Sequence, residues 1–480
     1  MKAPTQFWSR LGLLCSLLFL VSVMIFNACK SPQKKESEPE VVETDGITPV
    51  PLPTDVGIPG YKFPEDSATV YNWLNHRDTG RIYDHGWGIW SGLTRPTSQV
   101  DQGRNLLTFE TWMGIRQVVS LVDAGSADCT QKKSGPVKLN WPTQFAHAGM
   151  DFGGDPFKVM ETVSYDPTTV CHIVEHGLFH TDSLKLHKKP GAVGTIPAFP
   201  NTSVAIKPVY WVGQVMSGEK LIKLPVWNVP SAPKAWGVDD WGTYVYVDVT
   251  NGVARQAPPV PAPKDATPEQ IEAAKVNLDQ FIYLILDQET ADHLNSTLPP
   301  LGGIPPGGVP SFSQGDVVLL VAMHVSTREI ENWTWQTYYW MPDPDKPLFP
   351  SNDYIATLRK RANLVGAASH YAMSIAYNMV WPNQPVNGGT NEGVKPVFAF
   401  NPYLEGGFDK GTFGIKNALN SGFEYGVQTN CMSCHVFASY NDQNAGPIYS
   451  TDQYISTNDP VLFKDFVKTD FLWSIPDHAR

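Results

Sequence analysis

Val317-Val-Leu-Leu-Val-Ala-Met-His-Val325 is an apolar run broken only by its histidine. A run of this length without polar alternation reads as a strand buried on both faces, and that reading decides the fold class. Further strands are predicted over residues 204–212, 242–249, 280–286 and 333–340. Pro208 has no backbone donor, so the strand 204–212 is expected at a sheet edge. Residues 371–381 alternate Tyr371, Met373, Ile375, Tyr377, Met379 and Trp381 with Ala, Ser, Ala, Asn and Val. Period two predicts a strand with one bulky face carrying both methionines. Helices are predicted over 167–180, capped by Asp166 with Pro167 in the first position, and after the capping box Thr267-Pro-Glu-Gln270. A third is predicted from Asp459-Pro460 through Trp473. Residues 251–266 and 297–315 are Pro- and Gly-rich loops, and no internal repeat is present. The sum is an α+β chain: a mixed body with substantial β-sheet over 61–350, and a mainly helical C-terminal region over 351–480.

The 480 residues are 42% hydrophobic and 17% charged, enough for one large or several ordinary domains with their own core. A formal charge of −11 repels a phosphate backbone, which argues against nucleic acid as a partner. The 15 Trp, 18 Tyr and 22 Phe supply large rings to fill that core. At the N-terminus, Lys2 and Arg10 precede an apolar run, Leu11 to Phe26, that is short for a membrane span. It ends Phe26-Asn27-Ala28-Cys29, which resembles a bacterial lipoprotein signal: residues 1–28 would be removed and the Cys29 sulfur would carry lipid. Ordinary secretory cleavage and an uncleaved anchor are the alternatives, and each puts the body outside the cytoplasm. Residues 29–60 are rich in Pro and charge and read as a disordered tether between membrane and body. Losing residues 1–28 removes Lys2 and Arg10 and no acid, leaving a charge of −13.

Of the six cysteines, Cys15 lies in the signal, and Cys129 and Cys171 are left as a candidate disulfide in an oxidising compartment. The remaining two belong to Cys431-Met432-Ser433-Cys434-His435, a C-x-x-C-H motif. Two cysteines at this spacing can both reach the vinyl groups on one haem edge, and the following histidine then lies under the iron. A thioredoxin-like redox motif would open a helix after a strand, and a zinc ribbon would need a second C-x-x-C; neither pattern is evident. On this motif the chain resembles c-type cytochromes, with one covalent haem c held through Cys431 and Cys434 and His435 as axial iron ligand. The remainder is similar to large single-haem cytochrome c family lipoproteins through Trp333-Thr-Trp-Gln-Thr, Asn401-Pro-Tyr-Leu-Glu and Thr469-Asp-Phe-Leu-Trp-Ser.

Small soluble cytochromes take a second axial ligand, usually Met, from downstream sequence, but no Met follows Met432. The sixth ligand must come from Lys464, Lys468 or His478, from upstream Met373, Met379, His370 or His324, or from water. His85 and Glu110 in the Trp-rich stretch 61–125 are candidate pocket residues, although Tyr83-Asp-His-Gly-Trp-Gly-Ile-Trp reads first as a rigid turn. His172-Ile-Val-Glu175-His176 matches H-x-x-E-H, an inverted zinc-peptidase pattern, although Gly177 weakens the helix directly afterwards. The expected function is electron transfer by a lipid-anchored cytochrome on the periplasmic or cell-surface side of a bacterial membrane, with a redox protein as donor or acceptor. The alternative is a haem enzyme, peroxidase-like or otherwise, with an open sixth iron position.

Overall fold

The computed structural model describes residues 46–126, 128–135, 138–142, 159–216, 219–229, 236–238, 240–254, 257–297, 311–408, 427, 429–441 and 452–480. The signal segment 1–28, Cys29 and most of the tether lie outside the described residues. The chain has an α+β fold of mixed helices and several sheets, as the sequence predicts.

Its centre is an eight-stranded sheet built from β1 (Met113–Gly114), β2 (Val159–Glu161), β3 (Ser164–Tyr165), β4 (Val204–Gly213), β5 (Tyr283–Ile285), β6 (Val317–Thr327), β7 (Thr334–Trp340) and β8 (Tyr371–Ala376). The spatial order is β8-β7-β6-β4-β3-β1, with β2 also beside β4 and β5 also beside β6. The run that opened the reading is thus the central strand, and Val318 to Met323 are fully buried. Pro208 does not lie at an edge. Its carbonyl accepts from Thr162, so its missing N–H faces the break between β2 and β3.

Because β8 follows residue 350 yet pairs with β7 throughout, the boundary expected there does not divide the sheet. Helices α1 (Ser67–His76) and α2 (Thr79–Leu93) cover one sheet face. Trp90 of α2 stacks on Tyr338 at 4.4 Å. Tyr83 to Trp90, expected as a turn, is therefore helical, in spite of two glycines that each cost about 1 kcal/mol in a helix. Close packing explains them: a Cβ on Gly86 would stand 2.8 Å from Met373 Sδ, and one on Gly88 would strike the Tyr61 ring.

The other sheet face, which carries Trp335, Thr337, His324 and Lys207, receives the C-terminal segment. That segment is not one helix. Asp459 caps a single turn, Pro460–Phe463, after which Asp465 turns at positive φ and accepts from Gly191 N–H. Val467–Lys468 then pairs with Ser439–Tyr440 on one side and Gly194–Thr195 on the other. Tertiary pairing has overridden the apolar spacing. Elsewhere the predicted caps act: Asp166 starts the helix at Pro167, and Thr267 and Gln270 exchange backbone bonds; the first helix stops at His176, short of the expected residue 180, because Gly177 turns left-handed. Cys129 and Cys171 form a disulfide that ties this helix to the chain around Cys129.

Candidate cofactor site at Cys431–His435

The motif forms one short helix, α3 (Cys431–His435), and Asn430 holds its start. Asn430 Oδ1 accepts from Ser433 N–H at 3.0 Å, and its Nδ2 donates to the carbonyls of Met379 and Val397 at 3.0 and 2.9 Å. Residues three and four apart share a helix face, so Cys431, Cys434 and His435 lie together and keep partial solvent contact. Met432 and Ser433 are turned inward and buried, beside Val436.

His435 packs on Trp335, with ring centroids 4.2 Å apart. Its Nδ1 lies 2.6 Å from the Phe471 carbonyl. A carbonyl only accepts, so Nδ1 carries the proton and Nε2 keeps its lone pair. Burial lowers the imidazole pKa to about 4, which keeps the ring neutral at neutral pH. The acceptor carbonyl comes from a tight turn. Leu472 N–H donates to Thr469 O, and the two central residues, Asp470 and Phe471, both have positive φ, at 48° and 69°. Such turns favour Asn-Gly, and a bulky ring at the second position costs on the order of 1–3 kcal/mol.

A polar row faces the motif across the sheet. Thr337, His324 and Lys207 are direct cross-strand neighbours. Thr337 Oγ1 lies 2.7 Å from His324 Nδ1, and His324 Nε2 lies 3.4 Å from Glu405 Oε1 without hydrogen-bond geometry. Lys207 pairs with Glu161 at 2.9 Å. Burial alone would raise the Glu405 carboxyl, but His324, the Asn401 amide and Lys207 outweigh it and hold it below the usual range. Burial and the Glu405 charge push the Cys431 thiol well up, the reverse of the low-pKa thiolate that redox C-x-x-C sites need.

These residues fit haem c. Both sulfurs and a free imidazole nitrogen share one helix face, and the second ring nitrogen is committed to a carbonyl, as is usual for metal-bound histidine. Among the described residues no three His, Cys, Asp or Glu side chains converge as a metal cage, which haem does not require because the porphyrin provides four nitrogens.

The sixth-ligand candidates separate clearly. His324 is brought to the motif, its Nδ1 lying 3.9 Å from Cys431 Sγ. Met373 packs against α2 on the opposite sheet face. Met379 lies beyond the end of β8 and shares a small cavity with Met432, so the two methionines have no common face. His370 sits at the far end of β8, where its backbone bonds Met341. His478 Nδ1 is 3.2 Å from Ser474 O. Lys468 Nζ lies on the Phe463 ring and donates to Val436 O.

The three stretches that carried the family resemblance meet here, contributing Trp335 and Thr337, Glu405, and the Phe471 carbonyl. Sequence reading missed their roles, together with Lys207, Glu161 and Arg328. His85 lies elsewhere, in a buried network under α1 and α2: its Nδ1 is 2.6 Å from Tyr377 Oη and its Nε2 3.1 Å from Glu329. Glu110 forks onto Arg104. In the H-x-x-E-H stretch, His172 Nε2 is committed to Pro197 O at 3.1 Å, and Glu175 points to solvent. Comparison with protein-family models, curated proteins and solved structures finds no match to this chain.

Proposed function

We propose that this chain is an extracytoplasmic c-type cytochrome that binds one covalent haem and transfers electrons. The observation that carries the reading is the His435 Nδ1–Phe471 carbonyl bond, which leaves Nε2 as a lone pair on the face shared by Cys431 and Cys434. Haem bound there would supply a one-electron couple. The chain's own residues hold the axial imidazole neutral and oriented, pack Trp335 against it, and keep charge beside it through Lys207, Glu161 and Glu405. His324 is the side chain best situated to take the sixth position. Cleavage after Ala28 and lipid on Cys29 would tether the molecule to a membrane, near a redox protein that gives or takes the electron.

The test is expression with a haem-attachment system, followed by denaturing gel haem stain and reduced spectra with and without CO. Stable haem in the wild type and its loss in Cys431→Ser plus Cys434→Ser supports the reading; no covalent haem refutes it. A spectrum indifferent to CO in the wild type, and sensitive in His324→Ala, assigns the sixth ligand. A second reading, haem enzyme, is favoured by the His324–Glu405 pair, an acid–base couple beside the motif. It predicts a CO-induced shift in the wild type. For the anchor, Cys29→Ser should release the mature protein from membranes, and retention would refute lipidation there.

A further inference from the structure

The Phe471 carbonyl reaches His435 only because Asp470 and Phe471 both adopt left-handed backbone conformations, which neither residue favours. Something must hold them there, and the contacts of Asp470 identify it. Its Oδ2 accepts from Arg328 Nε at 2.9 Å and from Phe199 N–H at 3.0 Å. Both side chains of the Arg328–Asp470 pair are mostly buried, at 13% and 11% exposed. Arg328 is itself fixed at the end of β6: its N–H donates to Ser203 O, and its Nη1 to Ile330 O at 3.0 Å. Thr469 on the other side of the turn is fully buried, and its N–H donates to Ala438 O, three residues beyond His435. The turn is therefore clamped between the central sheet and the chain leaving the motif.

We propose that Asp470, locked by Arg328, is a positioning residue that fixes the Phe471 carbonyl on the axial imidazole and thereby sets the reduction potential of the bound haem. This rests on the haem reading given above. A short, straight Nδ1–H···O=C bond makes Nε2 a stronger donor, and a stronger donor favours ferric over ferrous iron. Without the clamp the turn relaxes from positive φ, the carbonyl drifts from Nδ1, and the ferrous form gains. Such supporting contacts are worth about tenfold or more at metal sites. In Asp470→Ala the ferrous-to-ferric ratio at fixed ambient potential should therefore rise about tenfold, equivalent to about 59 mV for one electron.

The experiment is spectroelectrochemical titration of the haem-loaded full chain. Haem content is measured first: wild-type protein without haem ends the function reading, whereas loaded protein isolates the present question. Asp470→Ala and Arg328→Met should both raise the potential and speed deuterium exchange of the His435 Nδ1 proton. Asp470→Asn keeps an acceptor and tolerates positive φ, so it should restore most of both properties. Tyr165→Phe is the control: it removes the 2.6 Å bond to Ser474 in the same terminal segment and leaves the turn untouched. The proposal is overturned if Asp470→Ala and Arg328→Met hold the wild-type potential and exchange rate, or if Tyr165→Phe moves them as far. Should Asp470→Ala fail to fold, Arg328→Met decides, since it keeps the Phe199 bond to Asp470.

Discussion

Replacing Asn430 with alanine removes three hydrogen bonds from one buried side chain, and the structure allows each to be weighed. Loss of the helix cap to Ser433 N–H costs about 1 kcal/mol. Val397 O loses the donor that Nδ2 supplied, and a buried carbonyl so abandoned costs about 1–3 kcal/mol. Met379 O loses less, because it also accepts the Val397 amide at 3.0 Å. Together the change should be about 3 kcal/mol. Asn430→Asp separates the contributions: it keeps the cap but turns an oxygen toward two carbonyls, so it should be no more stable than Asn430→Ala. Urea unfolding followed by tryptophan fluorescence gives the total, and native-state exchange at the Ser433 and Cys434 amides gives the local part. A loss below about 1 kcal/mol in Asn430→Ala, or wild-type stability in Asn430→Asp, would refute the reasoning.

Burial lowers Lys468 to about 7 from an ordinary value of 10.5. Between those values the unfolded chain binds more protons, so stability should rise from pH 7 to about 10.5 by roughly 3–5 kcal/mol, with the full penalty standing below pH 7. Lys468→Met should flatten that rise, and an unchanged slope across the range counts against it. Glu329 is fully buried and accepts from His85, Thr327 and the Glu65 amide, so Glu329→Ala should cost about 3–5 kcal/mol in urea unfolding, with Glu329→Gln costing less. Equal losses in the two variants would mean that charge is irrelevant there. Replacing Cys129 and Cys171 together by serine opens a loop of sequence separation 42 and should cost about 4 kcal/mol on the chain-entropy estimate. A midpoint within error of the wild type would show that the helix Pro167–His176 is held without it.

The sheet was legible because its central strand is apolar on both faces, and the caps because Asp166 and Thr267 act locally. The motif was legible because two cysteines and a histidine at that spacing stand out from any surrounding sequence. What could not be read depends on neighbours distant in sequence. Gly86 and Gly88 look like turn residues until Met373 and Tyr61 are brought against them. Pro208 looks like an edge residue until the break between β2 and β3 lies opposite its nitrogen. The alternation in 371–381 was real only to Ala376, where β8 ends and Met379 departs from Met373. The acceptor for His435 is a backbone carbonyl, which every residue type carries, so no composition signal could single out Phe471.

The segment that follows the Cys431–His435 motif has partners spread far along the chain. Gly194–Thr195 pairs with Val467–Lys468, Arg480 N–H donates to Phe179 O, and Thr181 N–H donates to Arg480 O, the last residue of the chain. A polypeptide that emerges from its N-terminus can therefore assemble the sheet through Ala376 while the motif still hangs free. The contacts that hold the motif from its C-terminal side come from residues 467–472. Emergence thus imposes a sequence of events: Cys431, Cys434 and His435 leave before the Val467–Lys468 strand and the Asp470–Phe471 turn that later hold this region in place.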